Sequence, residues 1–367
     1  MSDMQTYFAP TQGYFSGIFE YMNGPQAKQA TFLQSIPRRE TPEIHTHIEL
    51  AINHGQIRAS QDINRGDDSN LITQDGFIRK RFELPFFSDK TVITASEMLM
   101  RMPWARPFTE GQSIDIEEAQ KYWVKRKLAI LHSRIQTAME KMMSEMLIEG
   151  KLKLNSMEDI DFGRDSELAM DAPKPWNIGR DHNSLEDIGN LAMKVSQISG
   201  VEPTSILMDS KTFVMMQNSI FFESMANYTN SPIRTDISEM KSRGAAFCGT
   251  IIAGGKMLDI WTYDKFYYDE NNRRKQFIPT GNVVIGNFSE NSEYVTWYFG
   301  ATELILYHTQ LAQQLGIDYE DAMEDIRQGE IVPGVETHMK RMEVTLESCF
   351  ACIPSDINVF GVLNATP

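Results

Sequence analysis

The stretch from Ile260 to Asn287, IWTYDKFYYDENNRRKQFIPTGNVVIGN, decides how the rest of the chain is read. Aromatic and β-branched residues crowd its flanks, so 258–263, 266–268 and 282–285 are expected as strands. Between them Asp269-Glu270-Asn271-Asn272 is a turn, because short polar side chains bond their own backbone and tolerate left-handed φ. Just upstream, 250–253 is a further strand, closed by a Gly254-Gly255 turn. Short strands joined by tight turns predict a sheet in this half of the chain.

The segments before it are helical. From Asp115, with Glu118 three residues on, to Gly150, the residues Val124, Leu128, Leu131, Ile135, Ala138, Met142 and Met146 recur at steps of three and four. That spacing predicts one amphipathic helix over 115–149, a rod of about 50 Å at 1.5 Å per residue. Short strands at 151–154 and 160–162 follow. After a loop bearing Pro173, Pro175 and Gly179, a second helix is expected over 184–200, with Ser184 and Asp187 as its capping box. A strand at 205–208 and a short helix at 211–218 come next. Downstream, helix is expected near 308–314 and 319–327. Two closing strands, 342–353 and 357–363, are broken by Pro354-Ser355-Asp356. The fold class is α+β.

The N-terminal 50 residues carry Tyr7, Phe8, Tyr14, Phe15, Phe19 and Tyr21 without a helical or strand period. An extended arm is expected, whose apolar residues pack either on the chain's own body or on a neighbour. Residues 56–84 are expected as a long hairpin turning at Asp75-Gly76. On its second strand Ile78, Lys80, Phe82 and Leu84 share one face, and Phe77, Arg79, Arg81 and Glu83 the other. Pro103 and Pro107 exclude helix from the linker that follows.

Composition narrows the function. The 367 residues include 50 Asp and Glu against 35 Lys and Arg, a net charge of −15. Such a molecule repels phosphate, which disfavours a DNA-binding module. Three cysteines, Cys248, Cys349 and Cys352, point to a reducing compartment. No signal-peptide pattern and no run of roughly 20 apolar residues is present, so neither export nor a membrane is expected.

Candidate chemistry is thin. Cys349-Phe-Ala-Cys352 has the C-x-x-C spacing and would be the seed of a soluble redox enzyme, but residues three apart on a strand point to opposite faces. His45, His47, His54 and His308 lack an accompanying carboxylate-rich ligand motif. The segment 249–256 fails as a phosphate loop, because Thr250 stands in place of the first glycine and Met257 in place of the magnesium-binding Ser or Thr. No catalytic residue, cofactor or metal is expected.

The 247–287 region resembles the phage lambda major capsid protein E family: a strand, an acidic-Asn-basic hairpin and then F-I-P followed by VVIGN. FLQSIP at 32–37, IDFGR at 160–164 and VTLESCFACIPSDINVFGVLN at 344–364 are similar to the family in the same order. The resemblance implies the tailed-phage, Hong Kong ninety-seven type major capsid fold. Its parts would be an N-terminal arm at 1–50, an extended loop at 51–100, a peripheral domain at 101–183 with spine helix 115–149, an axial domain at 184–334, and C-terminal strands at 335–367 returning to the peripheral domain. The function it implies is a head-shell subunit that forms hexamers and pentamers around double-stranded DNA. Inter-subunit contacts are expected at Phe77, Arg79, Lys80, Arg81, Phe82, Phe86, Phe87, Tyr14, Phe15 and Phe19. Expected partners are other copies of the chain, a separate scaffolding protein, a portal at one vertex, a decoration protein outside and packaged DNA inside. Virion and, during assembly, host cytoplasm are the expected locations. An encapsulin-like compartment shares this fold and is the nearest alternative.

Overall fold

The computed structural model describes residues 21, 30–40, 47–52, 78–94, 97, 116–154, 159–220, 222, 244–304, 331–337 and 341–367, with backbone alone for 47–52, 78–82, 116–120 and 337. Two sheets and one long helix organise them. The helix, α2 (Ile116–Glu149), follows the short α1 (Phe32–Ser35) and is 34 residues long, about 50 Å. The predicted stripe is buried at Val124, Leu128, Leu131, Ile135, Met142 and Met146. Ala138 is only half-buried, and Met139, Met143 and Leu147 widen the apolar face toward the C-terminus.

That face lies on a five-stranded sheet. Its strands are β1 (Pro37–Arg39), β4 (Phe86–Thr94), β14 (Ser292–Phe299), β15 (Val332–Thr337) and β16 (Arg341–Pro354). The 14-residue β16 is about 45 Å long at 3.3 Å per residue, which matches the rod it packs on. It pairs antiparallel with β4, β14 and β15, so most of its residues are buried.

The second sheet has six strands in the order β7 (Ala169–Asp171), β17 (Gly361–Asn364), β13 (Asn282–Gly286), β8 (Ser205–Met208), β10 (Lys256–Tyr263) and β9 (Ala245–Ala253). Helix α3 (Ser184–Ser199) covers one face through Ile188, Leu191, Ala192 and Val195, packing with Ile206, Leu258, Ile260 and Leu363. On the other face Leu207, Tyr263 and Val284 join the large core around α2. The predicted Gly254-Gly255 turn closes β9 onto β10 with both φ positive, 57° and 77°, as a two-residue mirror-image turn requires.

Several expectations shift. The cap of α3 is Asn183, whose side chain accepts from Glu186 N, one residue before the predicted Ser184. The closing strand is β17, preceded by a 3-10 turn (Ile357–Val359) where 357–363 was expected extended. Within the span assigned to an axial unit, β14 pairs in the five-stranded sheet, while β7 and β17, outside that span, join the six-stranded one. The helices expected at 308–314 and 319–327 lie outside the described residues.

Candidate assembly surfaces

The expected arm divides. Tyr14, Phe15 and Phe19 lie outside the described residues. Residues 30–40 are bound into the chain's own body: Phe32, Leu33 and Ile36 are fully buried. Gln34 Nε2 donates to Gln136 O of α2 at 2.7 Å, and Trp297 Nε1 donates to Gln34 O at 3.2 Å. FLQSIP is therefore a plug between α2 and β14.

The ribbon differs in its partner. β3 (Ile78–Glu83) pairs antiparallel with β2 (His47–Ile52), setting Arg81 opposite Glu49, Lys80 opposite Leu50 and Arg79 opposite Ala51. The expected two-residue turn at Asp75-Gly76 does not join these strands, since 53–77 separates them, and Phe77 lies outside the described residues. Phe82 stands opposite Ile48. Among the described residues the ribbon joins neither sheet.

Two residues later the chain enters the body as β4. There Phe86 faces solvent at 49% exposure. Phe87 turns inward and stacks on Phe350 at 4.5 Å, so its ring is taken up by the chain's own sheet. Asp89 accepts from Arg134 of α2 at 2.9 Å, and Lys90 bonds Glu343 of β16 at 2.6 Å, tying the root of the ribbon to both rod and sheet.

The rod ends on a device the sequence reading did not foresee. Gly150 closes it at φ 71°, and Arg164 then donates to the carbonyls of Met146, Leu147 and Ile148 at 3.1, 2.6 and 2.8 Å. They lie at the negative end of the helix, where the last carbonyls lack intrahelical donors, although Met146 O also accepts from Gly150 N at 3.0 Å. Burial lowers the Arg164 guanidinium to about 10. The IDFGR motif is thus a helix cap, legible only once 160–164 is seen beside 146–148.

The F-I-P-T-G segment is likewise structural. Phe277 and Ile278 are buried, Phe277 O accepts from Ser144 Oγ of α2, and Thr280 Oγ1 donates to the buried Asp209 at 2.7 Å. Asp209 also caps α4 (Ser210–Gln217) by accepting from Thr212 N at 3.0 Å.

The chemical candidates resolve into packing. Cys349 Sγ contacts Leu84 O at 3.7 Å, whereas Cys352 Sγ contacts Met143 Sδ at 3.4 Å. Both thiols are buried, and burial raises Cys349 to about 11 and holds Cys352 well above the ordinary thiol range, the reverse of a reactive pair. His47 lies on β2; His45, His54 and His308 lie outside the described residues. Among the described residues there is no group of three or more His, Cys, Asp or Glu that could hold a metal ion.

The sequence reading also missed exposed apolar residues. Ile252 and Met257 form an exposed cross-strand pair near the β9–β10 turn. Phe266 and Tyr268 stand out on the hairpin of β11 (Phe266–Tyr268) and β12 (Arg274–Gln276). Alternation around the DENNRRK turn was the available signal for the second pair.

The family model for phage major capsid protein E matches residues 19–321. A prophage capsid protein of Escherichia coli CFT073 superposes with a TM-score of 0.63 at 14% identity, covering 95% of this chain and 98% of that one. A phage-related protein from Bordetella bronchiseptica RB50 does so with a TM-score of 0.52 at 10% identity, covering 95% and 96%. No curated protein matches the chain.

Proposed function

Because the chain belongs to the phage major capsid protein E family, whose members form virion shells and are not enzymes, we propose that its copies close as hexamers and pentamers into an icosahedral head around double-stranded DNA. It has the tailed-phage, Hong Kong ninety-seven type fold. Self-assembly into a shell is its function.

The observation that carries the finer reading is the β2–β3 ribbon, paired only within itself among the described residues and rooted by β4 in the body. A two-stranded ribbon is marginal alone and gains stability by lying on another surface. In the proposal that surface is a neighbouring subunit, approached by Arg79, Lys80, Arg81 and Phe82 on the ribbon and Phe86 at its root. Tyr14, Phe15, Phe19 and Phe77 complete the proposed contacts, with Phe87 backing Phe86 from within. The rod and five-stranded sheet form the peripheral part. The six-stranded sheet with α3 forms the axial part at hexamer and pentamer centres. Many modest contacts then sum to a robust particle while each stays weak enough to be corrected during growth.

The proposed further partners are a separate scaffolding protein during assembly in the host cytoplasm, a portal at one vertex, a decoration protein on the outside and the packaged genome. The net charge of −15 suits a wall along which DNA slides without sticking. The test is expression of the full chain with and without the adjoining phage genes, followed by sedimentation and electron microscopy. Closed shells are expected with the scaffold gene present. Stable monomers or small closed oligomers under every condition would overturn the proposal, and shells filled with cargo enzyme in place of DNA would favour the encapsulin-like alternative.

A further inference from the structure

Among the described residues the β11–β12 hairpin belongs to neither sheet, with Phe266 opposite Gln276, Tyr267 opposite Lys275 and Tyr268 opposite Arg274. Its tip is preorganised. The Asp269 carboxylate accepts from the N–H groups of Asn271 and Arg273 at 3.0 and 2.8 Å, Asn272 sits at φ 57°, and Lys275 Nζ lies 3.3 Å from Asp269. Its inner side is bolted down. The Tyr267 ring lies 5.0 Å from buried Phe277, whose carbonyl accepts from Ser144 of the spine helix.

Among the described residues the outer side has no such cover. Phe266 is 42% and Tyr268 61% exposed, edge to face at 5.9 Å, and the Arg274 guanidinium lies over the Phe266 ring at 3.7 Å. Arg274, opposite Tyr268, is exposed on this outer side, whereas Lys275, opposite Tyr267, falls on the inner side and pairs with Asp269. Aromatic rings and arginine are the residues that anchor protein interfaces, and a rigid hairpin loses little entropy on docking. A guanidinium already held flat on a ring presents its donors to a carboxylate as a planar fork.

From this geometry we infer that the outer face of the β11–β12 hairpin docks on an acidic patch of a second copy of this chain. Charge complementarity selects that occupant: the exposed aromatic face carries the Arg274 cation, while the chain as a whole holds 50 acidic against 35 basic residues. Nucleic acid fits less well, because the same net charge repels phosphate and Asp269 and Glu270 sit in the same hairpin. The inference rests on the shell-forming reading and adds a contact to it.

Hydroxyl-radical footprinting of the wild-type chain, free and assembled, tests it directly. Phe266 and Tyr268 should lose oxidation at least fivefold on assembly, and equal labelling in both states would overturn the inference while leaving the shell reading intact. A variant combining Phe266→Ser, Tyr268→Ser and Arg274→Glu should cut shell yield at least tenfold with the subunit's circular dichroism unchanged. Undiminished yield would overturn it, as would normal shells whose only defect is reduced DNA content, which would assign the face to nucleic acid. If that variant misfolds, Arg274→Glu alone decides on the same readouts. Failure of the wild-type chain to form shells at all would remove both readings together.

Discussion

Arg164 holds the end of the spine helix by three bonds to backbone carbonyls. Hydrogen bonds to a charged group are worth about 1.5–3 kcal/mol, so Arg164→Ala should destabilise the unassembled subunit by about 2–3 kcal/mol in urea unfolding. Glu140 of the same helix is buried, and Lys265 reaches it only at 3.9 Å, so burial raises its pKa from 4.5 to about 7. The native state then holds that proton more tightly than the unfolded chain. The stabilisation is fully present below pH 4.5 and is gone above pH 7, a difference of about 3 kcal/mol. Glu140→Gln should therefore exceed wild type in stability by about 2–3 kcal/mol at pH 8 and match it near pH 4. His132, buried edge-on to Tyr21 at 5.9 Å, acts in the opposite sense: burial lowers it to about 4. Its contribution is present above pH 6.5 and is lost as pH falls through 4. In His132→Met the acid-side loss should shrink, read as a shallower fall in melting temperature between pH 6.5 and 4.

Among the elements, α3 and the β9–β10 hairpin meet at two glycines. A Cβ at Gly189 would lie 2.6 Å from Gly254 N, so Gly189→Ala should cost about 1–3 kcal/mol through overpacking, measurable by thermal unfolding. At the ribbon, deleting 62–82 should leave a folded subunit, with the near-ultraviolet signal of Trp297 and Phe350 retained, that no longer closes shells. Loss of folding would mean that this segment is core. Local elements were legible in the sequence because their signals are local. The rod follows from its three-and-four spacing, and the β9–β10 turn from paired glycines. What escaped depends on distant partners. β3 meets β2 across residues 53–77, and Phe86 meets Cys349 on β16, pairings that no local pattern encodes. β14 was readable, since Val295, Trp297 and Phe299 alternate and are buried. Of the proposed contacts, Phe86 could be guessed as exposed, but Phe87 could not be placed inward without knowing that Phe350 lies beneath it.

At the scale of the molecule, two sheets share one core along the spine helix. The chain passes between them at the turn 287–291 and returns at Pro354, so neither sheet is a contiguous segment. Such interleaving ties the two sheets into one body, and in the proposal the β2–β3 ribbon projects from it. Assembly then requires only that projecting parts find surfaces on identical neighbours, and closure satisfies them all. The most direct measurement is a cryo-electron microscopy reconstruction of particles formed by the full chain with its scaffold. It should show hexamers and pentamers in which the 47–52 and 78–83 ribbon of each subunit lies over an adjacent subunit. Particles in which that ribbon folds back on its own rod, or the absence of any closed shell, would contradict the account.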